Sequence, residues 1–178
     1  MAIAKRKKKF FNVEIPQIKK ETQLQAYELK DLEGRCIKYD LTRILRGKNI
    51  LIYLKVKIEG DKAVTIPKQI QLMPQYIKRM IRKGTNYVED SFSTNSKDAQ
   101  IKIKPFLITR RKVSRAVRKA LRNKAKEELI NYVKNKTSET IFDDALKNKI
   151  QKDLGLKLKK IYPLSLCEIR ILKIEKEI

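Results

Sequence analysis

The sequence predicts an α+β fold: one domain with a mixed, mostly antiparallel sheet that could curl toward a barrel, three main helices and a basic N-terminal arm. Three observations carry that prediction. Short runs with period-two apolar alternation, rich in β-branched residues, fill much of residues 35–72 and return near 101 and 167. Two longer stretches between the later runs repeat apolar residues at three- and four-residue spacing. Runs of strands followed by runs of helices set this order apart from the strict alternation of α/β proteins.

Each element follows from its own pattern. Residues 5–9, Lys-Arg-Lys-Lys-Lys, hold no acidic or apolar residue and read as an extended arm, which we bound at residues 1–15, leaving 16–178 as the domain. The first strand has Ile37, Tyr39 and Leu41 on one face. The next alternates Ile50, Ile52, Leu54, Val56 and Ile58 against Lys55 and Lys57. Gly60-Asp61 reads as a hairpin turn into a strand that places Val64, Ile66, Ile70 and Leu72 on one face, with Pro67 marking an edge or a bulge. A helix is expected from Pro74 to Lys83, its stripe Tyr76, Ile77, Met80 and Ile81, its stop Gly84. Ile101, Ile103, Pro105 and Leu107 share a strand face.

The long helix is expected from Ser114 to about Val133, apolar at Val113, Ala116, Val117, Ala120, Leu121, Ala125, Leu129, Tyr132 and Val133. A third helix starts after Ser138. Its stripe Ile141, Phe142, Ala145, Leu146, Ile150, Leu154, Leu158 and Ile161 runs through Gly155, so the helix is expected to continue to about Ile161 at a cost of roughly 1 kcal/mol for the glycine. Tyr162-Pro163 ends it. A last strand sets Cys167, Ile169 and Ile171 against Arg170, Leu172 and Ile174.

Composition narrows function. Among 178 residues, Lys+Arg is 44, Asp+Glu is 20 and His is 0, a net charge of +24. Without histidine there is no Ser-His-Asp or Cys-His nucleophile system. Two cysteines, Cys36 and Cys167, cannot close a tetrahedral zinc site, and read as free buried thiols in a reducing compartment. The longest apolar run, Ile50–Leu54, is far too short to span a membrane, and Met-Ala-Ile-Ala followed by basic residues is no secretion signal. A cytoplasmic protein is expected. Such an excess of positive charge in a folded domain is relieved by polyanions, of which nucleic acid is the commonest.

The candidate interface is the segment from Arg110 to Lys126, which holds nine basic residues and no acidic one. Arg115, Arg118, Lys119, Arg122 and Lys126 recur at helical spacing on a face away from Val117, Ala120 and Leu121, and Arg110, Arg111 and Lys112 lead into it. Like charges a turn apart repel, whereas a phosphate backbone converts that repulsion into counterion release. With the arm residues Lys5, Arg6, Lys7, Lys8 and Lys9, these make the expected RNA-binding set. No catalytic residue, metal site or cofactor is expected: Asp143-Asp144 diverge on a helix, Glu28, Asp31 and Glu33 cluster at a turn near Gly34, and no Walker loop occurs. Tyr53, Phe92 and Phe106 are scattered and read as core rather than as a base-stacking platform.

Several segments, taken in order, resemble the archaeal/eukaryotic small-subunit ribosomal protein family S-one-e (formerly S-three-a-e). Lys159-Lys160-Ile161-Tyr162-Pro163-Leu164 with Glu168-Ile169-Arg170 is similar to its C-terminal signature. Phe10-Phe11-Asn12-Val13 before Ile15-Pro16, Leu32-Glu33-Gly34-Arg35, and Ile108-Thr109-Arg110-Arg111 through Ser114 resemble its other motifs. The resemblance implies a non-catalytic constituent of the small ribosomal subunit. It would sit on the platform against the 3′-end region of the ribosomal RNA, near the mRNA exit, touching neighbouring platform proteins. The alternative is a free architectural nucleic-acid-binding protein outside the ribosome. An enzyme with carboxylate-bound metal is a third reading, disfavoured because acidic residues are few and dispersed.

Overall fold

The structure is a computed structural model that describes residues 7–45, 47–60 and 62–177. The described residues form two compact units.

The first unit comprises residues 7–39 and Ile52–Lys68. Strand β1 (Lys9–Ile15) pairs antiparallel with β2 (Lys20–Ala26), from Lys9 opposite Ala26 to Ile15 opposite Lys20. A single 3-10 turn at Pro16–Ile18 joins them, and Lys19 takes the left-handed conformation at φ 53°. Strand β3 (Cys36–Asp40) pairs with β4 (Ile50–Glu59), which pairs with β5 (Lys62–Leu72). Gly60, at φ 64°, opens the β4–β5 turn in the region that favours glycine, while its partner Asp61 lies outside the described residues. The parallel pairing of β1 with β5, Val13 opposite Ala63, makes the sheet mixed. Val13, Ala26, Leu32, Val56 and Ala63 form the core, with Phe11, Leu24, Leu29 and Ile37 packed against it. Residues 9–15, which the charge pattern assigns to the arm, are therefore strand. Glu28 and Asp31 form a reciprocal capping box on a short turn, a structural use for that acidic cluster.

The second unit comprises Asp40–Leu51 and residues 69–177. Strands β6 (Tyr87–Glu89) and β7 (Phe92–Asn95) both pair antiparallel with β8 (Ala99–Thr109). On its other side β8 pairs with the long last strand β9 (Leu164–Glu177), and the end of β5 pairs with β9 from Gln69 opposite Lys173. Four helices, not three, complete it: α1 (Pro74–Met80), α2 (Arg115–Lys134), α3 (Ser138–Leu146) and α4 (Lys149–Leu158). In neither unit do the strands close into a barrel.

Several expectations change for local reasons. The buried positions of β5 are Ala63, Thr65 and Pro67 and then Ile70 and Leu72, so Val64 and Ile66 do not share a buried face with Ile70. β5 has eleven residues to the ten of β4 between the turn and the Met73 N–H to Asn49 carbonyl bond, and one extra residue reverses which alternate side chains are buried. The second strand proline, Pro105, sits at a register shift between β8 and β9, where the ladder does not need its missing N–H. Helix α1 stops at Met80 because Ile81 is extended, and Gly84, at φ 85°, serves a later turn closed by the Thr85 N–H on the Arg82 carbonyl. Ile81 is exposed rather than part of a buried stripe. The expected third helix breaks at Asn148, which adopts φ 60°, a conformation asparagine tolerates. Lys48 fixes that junction: its Nζ lies 2.5 Å from Asn148 Oδ1 and 2.6 Å from Glu168 Oε2 in a nearly buried ion pair.

Helix α3 has no cap from its own N-cap residue, Thr137. Asp98, in the β7–β8 turn, substitutes for it, accepting from the Ser138 N–H at 2.8 Å and from the Ser138 hydroxyl. Burial alone would raise the Asp98 carboxyl. The bonds from Ser138 and Ser96 outweigh it and hold the carboxyl below its ordinary 3.8. A carboxyl depressed in the folded state adds stability above its unfolded value and loses it as pH falls through the folded one. Asp98→Ala should thus cost about 0.5–2 kcal/mol at neutral pH, the range for a lost cap, and progressively less in acid below pH 3.8, as chemical denaturation at both pH values would show.

Gly155 does lie inside α4, as the stripe predicts, and a methyl group there would meet Cys167 Cβ at 3.7 Å, an ordinary contact. Gly155→Ala should raise stability by up to about 1 kcal/mol, read as a higher Tm. Both cysteines are free, but Cys36 is exposed, contrary to expectation. Cys167 is the shielded one, its thiol pushed up to about 12 by burial and then by the Glu168 carboxylate.

Candidate nucleic-acid interface

The basic segment is set by hydrogen bonds at its entrance. β8 ends at Thr109, whose backbone N–H donates to the Asn86 carbonyl and whose Oγ1 lies 2.7 Å from the Arg111 carbonyl. The Val113 N–H donates to Asn86 Oδ1 at 2.8 Å. Asn86 and Thr109 together pin the loop carrying Arg110, Arg111 and Lys112, all exposed. Ser114 then caps α2, its Oγ accepting from the Val117 N–H.

Helix α2 buries Leu121, Ala125, Leu129 and Val133, a strict four-residue stripe against β6, β7 and α4. Ala116 and Ala120, expected on that stripe, are exposed. A small side chain contributes little when buried, and the neighbour of the first turns of the helix is the short strand β6.

The cations consequently do not form a simple outward ridge. Arg115, Lys119 and Arg122 are exposed, but Arg118 is half-buried, and its Nε is shielded with no hydrogen-bond partner among the described residues. These four line a cleft whose other wall is Tyr87, Val88 and Glu89 of β6. Lys126 is drawn elsewhere, its Nζ 5.7 Å above the Phe92 ring. Arg110 lines a separate groove with Lys152 and Lys159 of α4 and its C-terminal end and with Pro163–Cys167. Among the described residues, none of Arg110, Arg111, Lys112, Arg115, Arg118, Lys119 and Arg122 joins an ion pair; the acidic partners begin at Glu127 and Glu128, which Lys124 and Lys157 engage.

Of the arm set, Lys5 and Arg6 lie outside the described residues. Lys7, Lys8 and Lys9 are exposed in the first unit, Lys8 Nζ standing 5.6 Å above the Tyr27 ring. Phe106 is fully buried and Phe92 nearly so, as their core reading predicts, whereas Tyr53 is only half-buried, with Lys38 Nζ 6.0 Å above its ring. Tyr87 is the aromatic that sequence reasoning missed: 54% exposed, on a strand too short to show alternation. Among the described residues no group of three or more Asp, Glu or Cys side chains is placed to hold a metal ion, and no helix is long and apolar enough to cross a membrane. Asp143 and Asp144 face separate lysines, Lys147 for the former and Lys136 and Lys149 for the latter.

A sequence model of the Ribosomal S3Ae family matches residues 4–177. The chain is similar to the small ribosomal subunit protein eS1 of Nanoarchaeum equitans, 27% identical over 173 residues that cover 93% of this chain and 87% of the relative. It is 28% identical to the protein of the same name in Methanothermobacter thermautotrophicus, over 92% of this chain and 88% of that one. The corresponding figures for Pyrobaculum aerophilum are 29%, 99% and 85%.

Proposed function

The chain belongs to the Ribosomal S3Ae family, and from that premise we propose that it is a structural constituent of the small ribosomal subunit, holding small-subunit ribosomal RNA through phosphate and shape contacts. The observation that carries the RNA-binding part is the run Arg110–Arg122, whose cations are displayed on one loop and one helix face with no ion pair among the described residues to neutralise them. Uncompensated cations in fixed positions suit a polyanion whose phosphates recur along a backbone. The names of the relatives supply the particle. In this reading it sits in the cytoplasm on the platform of the subunit, close to the 3′-end region of the ribosomal RNA and the mRNA exit and beside other platform proteins, as the family resemblance implies. Lys5–Lys9 of the arm serve as a second set of phosphate contacts in this reading.

The test is co-sedimentation. The protein should travel with small ribosomal subunits through a sucrose gradient and stay with them through a moderate salt wash. A free architectural protein would instead bind unrelated nucleic acids equally well and leave the subunits as salt is raised.

A further inference from the structure

The cleft between α2 and β6 has a shape and a chemistry that a flat basic surface lacks. Its cationic wall carries Arg115, Arg118, Lys119 and Arg122, which lie within about two turns of helix, or roughly 10 Å. Its opposite wall carries Tyr87, whose ring rests on buried Phe106 at a centroid distance of 6.1 Å and is otherwise half open. Glu89, the acidic residue lining the cleft, is held by Arg170 at 3.0 Å, on the strand beyond β8. Arg118 Nε is cut off from solvent and unpaired among the described residues, a state that costs free energy until an acceptor arrives.

We propose that this cleft holds one unpaired RNA nucleotide, its base stacked on Tyr87 and its phosphate held by Arg115, Arg118 and Arg122. The inference rests on the reading of α2 as an RNA-binding surface and adds which form of RNA it takes. Guanidinium groups grip phosphate oxygens bidentately, which a single cleft can exploit. A duplex keeps its bases stacked on each other and offers a wall aromatic nothing to stack on, whereas an unpaired base offers its whole face. Tyr87 is supported from behind by Phe106, so little ordering is needed on binding.

The test uses the full chain and two probes of equal length, a short oligoadenylate carrying one 2-aminopurine and the same strand paired with oligouridylate. Tyr87→Leu should weaken single-strand binding roughly five- to hundredfold, the measured worth of one stacked base. It should leave duplex binding and the salt slope unchanged, and abolish the quenching that binding of the protein adds to that from the neighbouring adenines. Tyr87→Phe should retain both affinity and quenching. Arg118→Gln should lower the single-strand salt slope by about 0.7. Equal losses on both probes, or undiminished quenching in Tyr87→Leu, would overturn the proposal. Failure of this inference is separable from failure of the broader reading: reversing Arg115, Lys119 and Arg122 would still abolish binding if only the stacking idea is wrong, and would change nothing if the helix does not bind RNA at all.

Discussion

Reversing Arg115, Lys119 and Arg122 to Glu should remove most of the RNA affinity of the chain while leaving its helical content and melting close to those of the native protein. All three side chains are exposed, and α2 is anchored by the buried Leu121, Ala125, Leu129 and Val133, none of which is changed. Arg118 is spared because it is half-buried, and a carboxylate there would face Glu89 across the cleft. Each phosphate contact contributes a slope of about 0.7 on single strands or 0.9 on a duplex to the dependence of log affinity on log salt, so the slope should shrink by roughly two to three. Affinity should fall on unrelated structured RNAs too, since phosphate contacts carry no sequence information. Filter binding across a salt series reads both quantities. A variant that melts early yet keeps its salt slope would make the cations part of the packing and not of an interface.

The second large effect is expected from β9. Ile169 is 5% exposed and lies opposite Pro105 in the ladder with β8. Ile169→Asp forfeits about 1.5–3 kcal/mol of apolar burial and adds the cost of a carboxylate among apolar neighbours, several kcal/mol more or less. Against a total stability of about 5–15 kcal/mol, that should leave much of the protein unfolded or insoluble. Ile169→Val, which removes one methylene, should cost only about 0.5–1.5 kcal/mol and remain soluble. An Asp variant with native melting behaviour would show that the middle of β9 is not core.

The wider candidate set divides in the structure. The helical cations Arg115, Arg118, Lys119 and Arg122 are legible from their spacing, because a helix face is a local property and residues three and four apart must meet. Their cleft is not legible, because Tyr87 precedes them by two strands, β7 and β8, and is placed beside them by the β6–β8 pairing. Lys126 belongs to the same spacing but is held over Phe92, a residue of β7. Asp98 caps a helix forty positions away, a relation that no capping pattern within the helix sequence encodes.

The sequence by itself determined the α+β class, the alternation of β3, β4 and the first half of β8, the start of α2 at Ser114, the helical state of Gly155 and the family. These depend on neighbours within a few residues or on motifs in order. It did not determine the faces of β9, where Lys104 and Pro105 pair with Ile171 and Ile169, so that the extra residue Arg170 brings Ile169 and Leu172, expected on opposite faces, to one buried side. Only the tertiary structure decided the β1–β2 hairpin, the extra residue in β5, the break at Asn148 and the partners of the cations. Strand β1 shows how: Phe11, Val13 and Ile15 alternate with Asn12 and Glu14, a local strand pattern, but the run of lysines before it reads as an arm, and nothing local names the strands that hold it. It is held by β2 on one side and by β5, some fifty positions on, at the other. Hydrogen-bond ladders and buried faces are completed by residues distant in the chain, and period and charge along a short segment carry no record of which distant residues those are.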